Sequence, residues 1–199
     1  MEYIVRSHRN AQVVFQYDPQ YQCLYQEVTS VLEGIRDQDI VNAYHAITRR
    51  NKKSISEPIN KLIKEGLVAL GWHPGSAIFN DPDYTDTKWR LDFAKDKVSI
   101  EVAFNHGEAI SWNLLKPVMA SELNHIQKAV QTSAGIIICA TEEMKAAGNF
   151  DRAVGTFEKF ERYLTPMYDV LPSPLLLIGL KAPRSFYVDK NTKQIVIYK

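Results

Sequence analysis

The segment that covers residues 90–104 constrains the fold more than any other part of the chain. It reads RLDFAKDKVSIEVAF, with a turn-like Lys-Asp-Lys between two apolar runs. In the second run apolar residues alternate with small or polar ones, and this period of two predicts a β-strand with one polar face. We therefore predict a β-hairpin with strands at 89–94 and 98–104, and with Glu101 on the open polar face of its second strand.

The predicted hairpin contains two carboxylates, since Asp92 lies nine residues before Glu101. In a hairpin such spacing can bring both side chains to one edge. Their oxygens are hard ligands of the kind that bind Mg²⁺, and a metal held there activates water and stabilises a phosphate under attack. Spacing alone leaves an alternative open, in which Asp92 ends a strand and Glu101 is a solvated strand residue.

Residues 92–104 resemble the Asp…Glu-x-Lys metal site of the PD-(D/E)XK nuclease superfamily. More narrowly, they are similar to the BglII and BstYI restriction endonucleases, in which the pattern runs Asp-Phe…Glu-Val-Gln-Phe with the same interval. Further similarities lie at residues 7–10, Asn60, Lys64, Leu67, residues 71–72 and residues 174–180. The ordered set covers most of the chain, and it is much more specific than the superfamily motif alone.

The resemblance implies an α/β fold, in which the mixed-sheet core of the superfamily is flanked by helices in a single domain over 1–199. It implies a type II restriction endonuclease that acts as a homodimer on a short palindromic site in double-stranded DNA, related to GATC, and leaves 5′-phosphates. Asp92, Glu101 and the main-chain carbonyl of Val102 would hold Mg²⁺, for which Mn²⁺ could substitute. A DNA methyltransferase would be the functional partner of such an enzyme.

Ala103 departs from the family pattern of catalytic residues. The family carries glutamine, and the wider superfamily usually lysine, two residues after the glutamate. A methyl group cannot orient water, donate to a phosphate or shift a pKa. Three explanations stay open: another side chain, such as Asn105 or a lysine from elsewhere, supplies the function; the natural protein is slow or inactive; or the alanine is an engineered inactivation.

Candidate DNA contacts come from two segments that the resemblance singles out. Asn105 and His106 directly follow the metal strand, where the family reaches DNA. Asn149, Asp151 and Arg152 lie in the loop between the last core strands, and asparagine and arginine can read adenine and guanine edges in the major groove. A plain helix-entry loop is the alternative for this second segment.

The densest basic run of the chain contains Arg49, Arg50, Lys52 and Lys53. These side chains could contact phosphates and make the affinity for DNA depend on salt, although a solvated loop is an equal alternative. The formal net charge of the whole chain is only +1, which argues against a protein that coats DNA nonspecifically. A specific nuclease is not excluded, because its carboxylates offset a locally basic cleft.

Composition is ordinary for a soluble globular protein, with 45% hydrophobic and 24% charged residues. Cys23 and Cys139 are too few for a disulfide framework and lack metal-ligand spacing, so we expect both to be reduced. The N-terminus lacks a signal-peptide core and no apolar run reaches membrane length. We therefore expect a cytoplasmic protein that has no membrane partner.

Periodicity predicts the order helix, two antiparallel strands, helix, strand, helix, strand, which agrees with the superfamily core. Continuous apolar runs predict strands that are buried on both faces, and serine and glycine caps mark the ends of one helix. The individual elements that we predict are a strand at 12–17, a helix from Pro19, a helix from the N-cap Ser56 to Gly71, a loop at 75–87, a helix at 113–131, strands at 135–140 and 175–181, and a hairpin around 190–191.

Two other functions stay open on the sequence alone. One is a nuclease-fold protein that recognises a DNA sequence but no longer cuts it, which Ala103 favours. The other is an unrelated metal-dependent α/β enzyme or a structural domain. Cleavage with Mg²⁺ or Mn²⁺, compared with binding in Ca²⁺, separates the first from a nuclease. Sequence-dependent thermal protection by DNA would exclude the second.

Overall fold

A six-stranded sheet lies at the centre of the computed structural model, which describes residues 1–47, 54–122 and 125–198. The strands are β1 Tyr3–His8, β2 His73–Ala77, β3 Arg90–Lys95, β4 Val98–Ala103, β5 Ala134–Ala140 and β6 Leu175–Leu180. They follow one another across the sheet in the order β1-β6-β5-β4-β3-β2. Strands β4, β5 and β6 run parallel, and the other neighbouring pairs are antiparallel. This mixed sheet confirms the predicted α/β class.

Helices and a small terminal hairpin surround the sheet in the described residues. The α-helices are α1 Ala11–Tyr17, α2 Pro19–Gly34, α3 Asp37–Ala46, α4 Ser56–Ala69, α5 Ile110–Ser121, α6 Glu142–Ala147 and α7 Phe157–Leu164. The hairpin pairs β7 Phe186–Val188 with β8 Ile195–Ile197, as predicted for the end of the chain. In the part of the chain that the structure describes, no helix combines the length and hydrophobicity that a membrane span requires.

Helices cover both faces of the sheet, because its central strands are apolar on both sides. All residues of β5 are buried, as its continuous apolar run predicts. Ile136 and Ile138 pack in one core cluster with residues of α1 to α4, whereas Ile137 and Cys139 pack in a second cluster with α5 and α7. Glu101 pairs with Ile137 in the parallel register, so its side chain faces the layer that contains α5.

Two N-terminal predictions are wrong in detail. Residues 12–17 belong to α1 and not to a strand, because the buried side chains Ala11 and Phe15 are one helical turn apart. Ser56 is the first residue of α4, whose N-cap is Ile55. Gly71 follows that helix with a φ of +84°, the left-handed conformation expected of a C-terminal glycine cap.

Two further boundaries differ from the predictions. The helix predicted at 113–131 is shorter, since α5 ends at Ser121. The residues that follow approach the edge of the sheet, where the main-chain N–H of Asn80 donates to the carbonyl of Gln127 at 2.8 Å. The predicted loop at 75–87 contains the end of β2 and one short 3₁₀ turn, and a second 3₁₀ turn begins at Thr87. In both places apolar side chains pack in the core although their segments form neither a regular helix nor a strand, so hydrophobic periodicity does not locate the boundaries.

A polar network fixes the turn between β3 and β4. Asp96 in this turn has a φ of +48°, a left-handed conformation that aspartate tolerates. Lys95 Nζ donates to both carboxylate oxygens of Glu27 at 2.7 and 2.8 Å, and to the carbonyl of Leu70 at 2.7 Å. Trp72 Nε1 donates to the same carboxylate at 2.9 Å. The predicted hairpin is thus tied to α2 and to the end of α4.

Candidate active site

The two carboxylates singled out in the sequence lie side by side where the β3–β4 pairing ends. The last paired residues are Phe93 and Ile100, and Asp92 and Glu101 are the next residues on their strands. The main-chain N–H of Val102 donates to Asp92 Oδ2 at 2.7 Å, and the N–H of Asp92 donates to Glu101 Oε1 at 3.3 Å. Each carboxylate is therefore held by the main chain of the neighbouring strand.

Glu101 is buried, so the prediction that it lies on an open polar face is wrong. It is 1% exposed, because α5 covers this face of the sheet. Lys116 of α5 forms an ion pair with Glu101 Oε2, and its Nζ also donates to the carbonyl of Arg90 at 3.1 Å. Alternation of apolar and polar residues along a strand identifies its two faces, but it does not indicate whether water or a helix covers the polar face.

The environment of Glu101 disfavours its negative charge. Burial, and then the nearby charge of Asp92, raise the pKa of Glu101 to about 8 against the opposing effect of Lys116. Two carboxylates that share a poorly solvated site repel each other when both are ionised. A divalent cation bound between them would relieve this repulsion, and its binding would favour the deprotonated form of both groups.

The donor atoms at this position fit a hard divalent metal. Among the described residues there is no cluster of three or more His, Cys, Asp or Glu side chains that could hold a metal. Mg²⁺ does not require one, because it is usually bound by one or two carboxylates together with water and substrate phosphates. The Val102 carbonyl accepts a hydrogen bond from the N–H of Phe104 at 3.2 Å, and a carbonyl oxygen has a second lone pair. Asp92, Glu101 and Val102 are thus a chemically suitable set.

A cavity of about 440 Å³ opens beside the carboxylate pair. Asp92 lies in its lining together with Asn60 and three basic residues, Lys64, Arg90 and Lys116. Lys64 and Arg90 are exposed, whereas Lys116 is buried. A phosphate group suits such a lining, because lysine and arginine offset its charge and donate charge-assisted hydrogen bonds.

Ala103 lies in the apolar interior and not in the lining of this cavity. It is 1% exposed, and its cluster contains Ile110 and Leu114 of α5 and Ile137 and Cys139 of β5. Apolar side chains therefore fill the space next to the position where the family carries glutamine. Residue 103 is therefore not an open polar position.

Lys116 is a candidate site residue that the sequence pattern did not predict. A signal for it exists, because Lys116 is the only charged residue in the mostly apolar segment 110–121, and a buried lysine is almost always paired. The sequence indicates Asn60 and Lys64 only through their similarity to the family. Their four-residue spacing places them on one face of α4, which is the face that reaches the cavity.

Of the five predicted DNA contacts that lie within the described residues, four line a second cavity, of about 520 Å³. His106, Asn149, Asp151 and Arg152 all line it. The two segments meet because His106, just after β4, forms an antiparallel bridge with Val154 in the later loop. The structure thus brings these residues together, and their contact with DNA stays a prediction.

Asn105 and Asp151 each accept a hydrogen bond from within the protein. Asn105 Oδ1 accepts a hydrogen bond from Asn113 Nδ2 of α5 at 2.9 Å. Asp151 Oδ1 accepts one from the main-chain N–H of Ala153 at 2.8 Å, which stabilises the turn before α7. These bonds occupy acceptor atoms that base recognition would use, so we expect Asn105 and Asp151 to orient the segment more than to read DNA.

A third cavity, of about 460 Å³, shares Asn149, Arg152 and Lys193 with the second. Lys145 and Lys190 add two further positive charges to its lining, and Glu142 adds one negative charge. The two cavities together form a basic surface that suits the phosphates of a nucleic acid. The predicted phosphate contacts of the earlier basic run lie outside the described residues; they are Arg49, Arg50, Lys52 and Lys53.

Comparison with known proteins agrees with this architecture. The sequence matches the family model described as "Restriction endonuclease BglII/BglIII" over residues 3–180. A search of curated proteins found no match. Among solved structures, the chain is similar to restriction endonuclease BglII complexed with a DNA 16-mer, with a TM-score of 0.67 and 18% identity over 98% of this chain and 87% of that chain. It is also similar to free BglII, with a TM-score of 0.55 and 17% identity over 100% and 91% of the two chains.

The family match begins at the first residue of β1 and ends at the last residue of β6, so it includes the whole central sheet. At 17–18% identity the two solved structures show the fold alone. The family assignment therefore rests on the sequence match, and the structures agree with it. The chain belongs to the BglII/BglIII restriction endonuclease family and is a type II site-specific deoxyribonuclease.

Proposed function

We propose that the protein hydrolyses phosphodiester bonds in double-stranded DNA with Mg²⁺ held between Asp92 and Glu101. The observation that carries this proposal is the placement of the two carboxylates, side by side at the end of the β3–β4 pairing and next to a cavity with basic lining. Carboxylates bind the metal, and the basic side chains favour the phosphate.

The reaction is the replacement of one phosphorus–oxygen bond by another. The metal, when bound to Asp92, Glu101 and the Val102 carbonyl, would lower the pKa of water and neutralise charge on the phosphate. Lys64 and Arg90, which line the cavity, orient the scissile phosphate. The water oxygen bonds to phosphorus as the bond to O3′ breaks. The proton of the water passes to solvent, O3′ gains one from solvent, and the phosphate stays on the 5′ end.

Sequence recognition belongs to the second cavity in this proposal. The exposed side chains of His106 and Arg152, with Asn149 beside them, line it, and arginine and asparagine recognise guanine and adenine edges. The solved relative with a DNA 16-mer supports DNA as the ligand. A homodimer would place one carboxylate pair at each strand of a palindrome, and a GATC-related target is our expectation for it.

The cellular setting follows from the same proposal. Mn²⁺ should replace Mg²⁺, because it takes the same oxygen ligands. A DNA methyltransferase would protect the host genome at the same sequence, and both proteins would act in the cytoplasm.

A second candidate function is sequence-specific DNA binding without cleavage. Ala103 favours it, because residue 103 provides no polar group to the site. The two functions differ in a simple experiment: a binding protein retains one DNA sequence in Ca²⁺ and leaves it intact in Mg²⁺ and Mn²⁺, whereas a nuclease cuts it.

The site assignment is tested with Asp92→Asn and Glu101→Gln. Both variants should lose cleavage, because each removes a charged metal ligand, and both should keep specific DNA binding in Ca²⁺. Asp169→Asn makes the matched change at an exposed position of a 3₁₀ turn and should cut normally. Cleavage by either Asp92→Asn or Glu101→Gln at the rate of the unmodified protein would refute the assignment.

A further inference from the structure

Lys116 is placed where a catalytic cation would act. Its side chain is 9% exposed, and it lines the cavity that also contains Asp92. Its Nζ forms an ion pair with Glu101 and donates to the Arg90 carbonyl at 3.1 Å. The ammonium group is therefore fixed beside the proposed metal ligands, at the border between the protein interior and the phosphate cavity.

Packing of α5 brings Lys116 to this point. Gly135 of β5 has no side chain, and a Cβ there would lie 2.6 Å from Pro117 Cβ. The helix consequently lies close to the sheet at Pro117, the residue next to Lys116. On the same helix, Leu114 packs in the cluster that contains Ala103. Helix α5 thus fills the space at residue 103 and also places Lys116 beside Glu101.

Stability alone does not account for this lysine. A buried ion pair is weak evidence of stabilisation, because desolvation of both charges often exceeds their attraction, and apolar residues of similar volume usually do as well or better. Lys116 is also the only charged residue of α5. A functional reason for its charge explains both its position and its orientation toward the cavity.

We propose that Lys116 is a catalytic residue of this nuclease, which supplies from α5 the polar group that Ala103 does not supply from β4. This inference rests on the proposed function of the Asp92–Glu101 pair. In the reaction, the Lys116 ammonium donates a hydrogen bond to an oxygen of the scissile phosphate and keeps its proton throughout. The bond strengthens as negative charge develops on the phosphate in the transition state.

The test compares Lys116→Met with Lys61→Met. Methionine keeps an unbranched side chain and removes the charge, and Lys61 is an exposed lysine of α4 with a 60% exposed side chain. Single-turnover cleavage in Mg²⁺ should fall by about 100-fold or more in Lys116→Met and should not change in Lys61→Met. Calorimetric titration of the DNA-free protein with Mn²⁺ should give an affinity that is unchanged or higher, because a competing cation has been removed from Glu101.

A second variant covers the case in which Lys116→Met does not fold. Lys116→Arg keeps a positive charge next to Glu101, but its planar guanidinium places the donors differently, so we expect a folded protein that cuts more slowly. Near-ultraviolet circular dichroism in the assay buffer gives the folded fraction to which each rate is normalised. Unchanged cleavage in Lys116→Arg would show that the position of the donor does not matter and would overturn the specific hydrogen bond proposed for the Lys116 ammonium.

Failure of this inference can be told apart from failure of the proposed function. If the unmodified protein cuts DNA and folded Lys116→Met cuts equally fast, only the role of Lys116 is refuted. If Lys116→Met loses Mn²⁺ affinity together with cleavage, the lysine positions Glu101 and is not a catalytic residue. If the unmodified protein cuts no DNA in Mg²⁺ or Mn²⁺, the proposed function itself fails.

Discussion

Replacing Ala103 by glutamine, the residue that the family carries at this position, is expected to destabilise the protein and to slow cleavage. Ala103 is 1% exposed, and its cluster includes Ile110, Leu114 and Cys139. A longer side chain has no room there unless α5 moves away from the sheet, and α5 carries Lys116. At a vacant polar position the same substitution would preserve or raise activity.

Two unfavourable contributions determine the magnitude of this effect. Forcing extra methylene groups into a packed core costs roughly 1–3 kcal/mol. Burying an amide that finds no hydrogen-bond partner costs about 1–3 kcal/mol more. We therefore expect Ala103→Gln to lower the free energy of unfolding by about 2–6 kcal/mol. That is a large part of the roughly 5–15 kcal/mol that stabilises an ordinary domain.

Urea unfolding of the metal-free protein measures this change directly. Ala46→Gln makes the same substitution at the exposed last residue of α3, and it should shift the free energy of unfolding by no more than about 0.5 kcal/mol. Cleavage is then compared at a temperature at which both variants are folded. An Ala103→Gln protein that is as stable as the unmodified one and cuts faster would refute the claim that α5 fills this position.

Two further predictions concern the same face of the sheet. The pKa of Glu101 is raised from 4.5 to about 8, so the folded protein retains a proton that the unfolded chain releases in this range. The free energy of unfolding in EDTA should therefore fall as pH rises from 4.5 to 8, and Glu101→Gln should remove that part of the pH profile; identical profiles would contradict the burial argument. Gly135→Ala would place a Cβ 2.6 Å from Pro117 and 2.8 Å from Leu175. Urea unfolding should show a loss of roughly 1–3 kcal/mol, and unchanged stability would mean that α5 is not held at this contact.

Strands β3 to β6 and the carboxylate pair could be predicted because their signals are local, whereas β1 was not predicted and β2 ends within the predicted loop at 75–87. Alternation and a short turn define the β3–β4 hairpin, and the interval between Asp92 and Glu101 fixes their positions on it. Continuous apolar runs likewise define β5 and β6. Residues 12–17 were predicted as a strand and form a helix, because so short a segment fits either period.

The contribution of α5 to the candidate site could not be predicted, because it depends on contacts between residues that are distant in the sequence. Nothing in the sequence around Glu101 indicates that a helix covers it. Lys116, its ion-pair partner, lies fifteen residues further along the chain. The single charged residue of the mostly apolar segment 110–121 was the one indication of a buried ion pair. The packing around Ala103 could not be predicted for the same reason, since the side chains that surround it belong mostly to α5 and β5.

The most direct test of the account is to sequence the DNA ends that the unmodified protein produces from a long, unmodified DNA in Mg²⁺. If Asp92 and Glu101 form the metal centre of a type II nuclease, the protein will give discrete fragments whose 5′-phosphorylated ends share one palindrome. Asp92→Asn will give none. Intact DNA in both Mg²⁺ and Mn²⁺, or the same fragments from Asp92→Asn, would contradict the assignment of Asp92 and Glu101 as the metal centre of a nuclease.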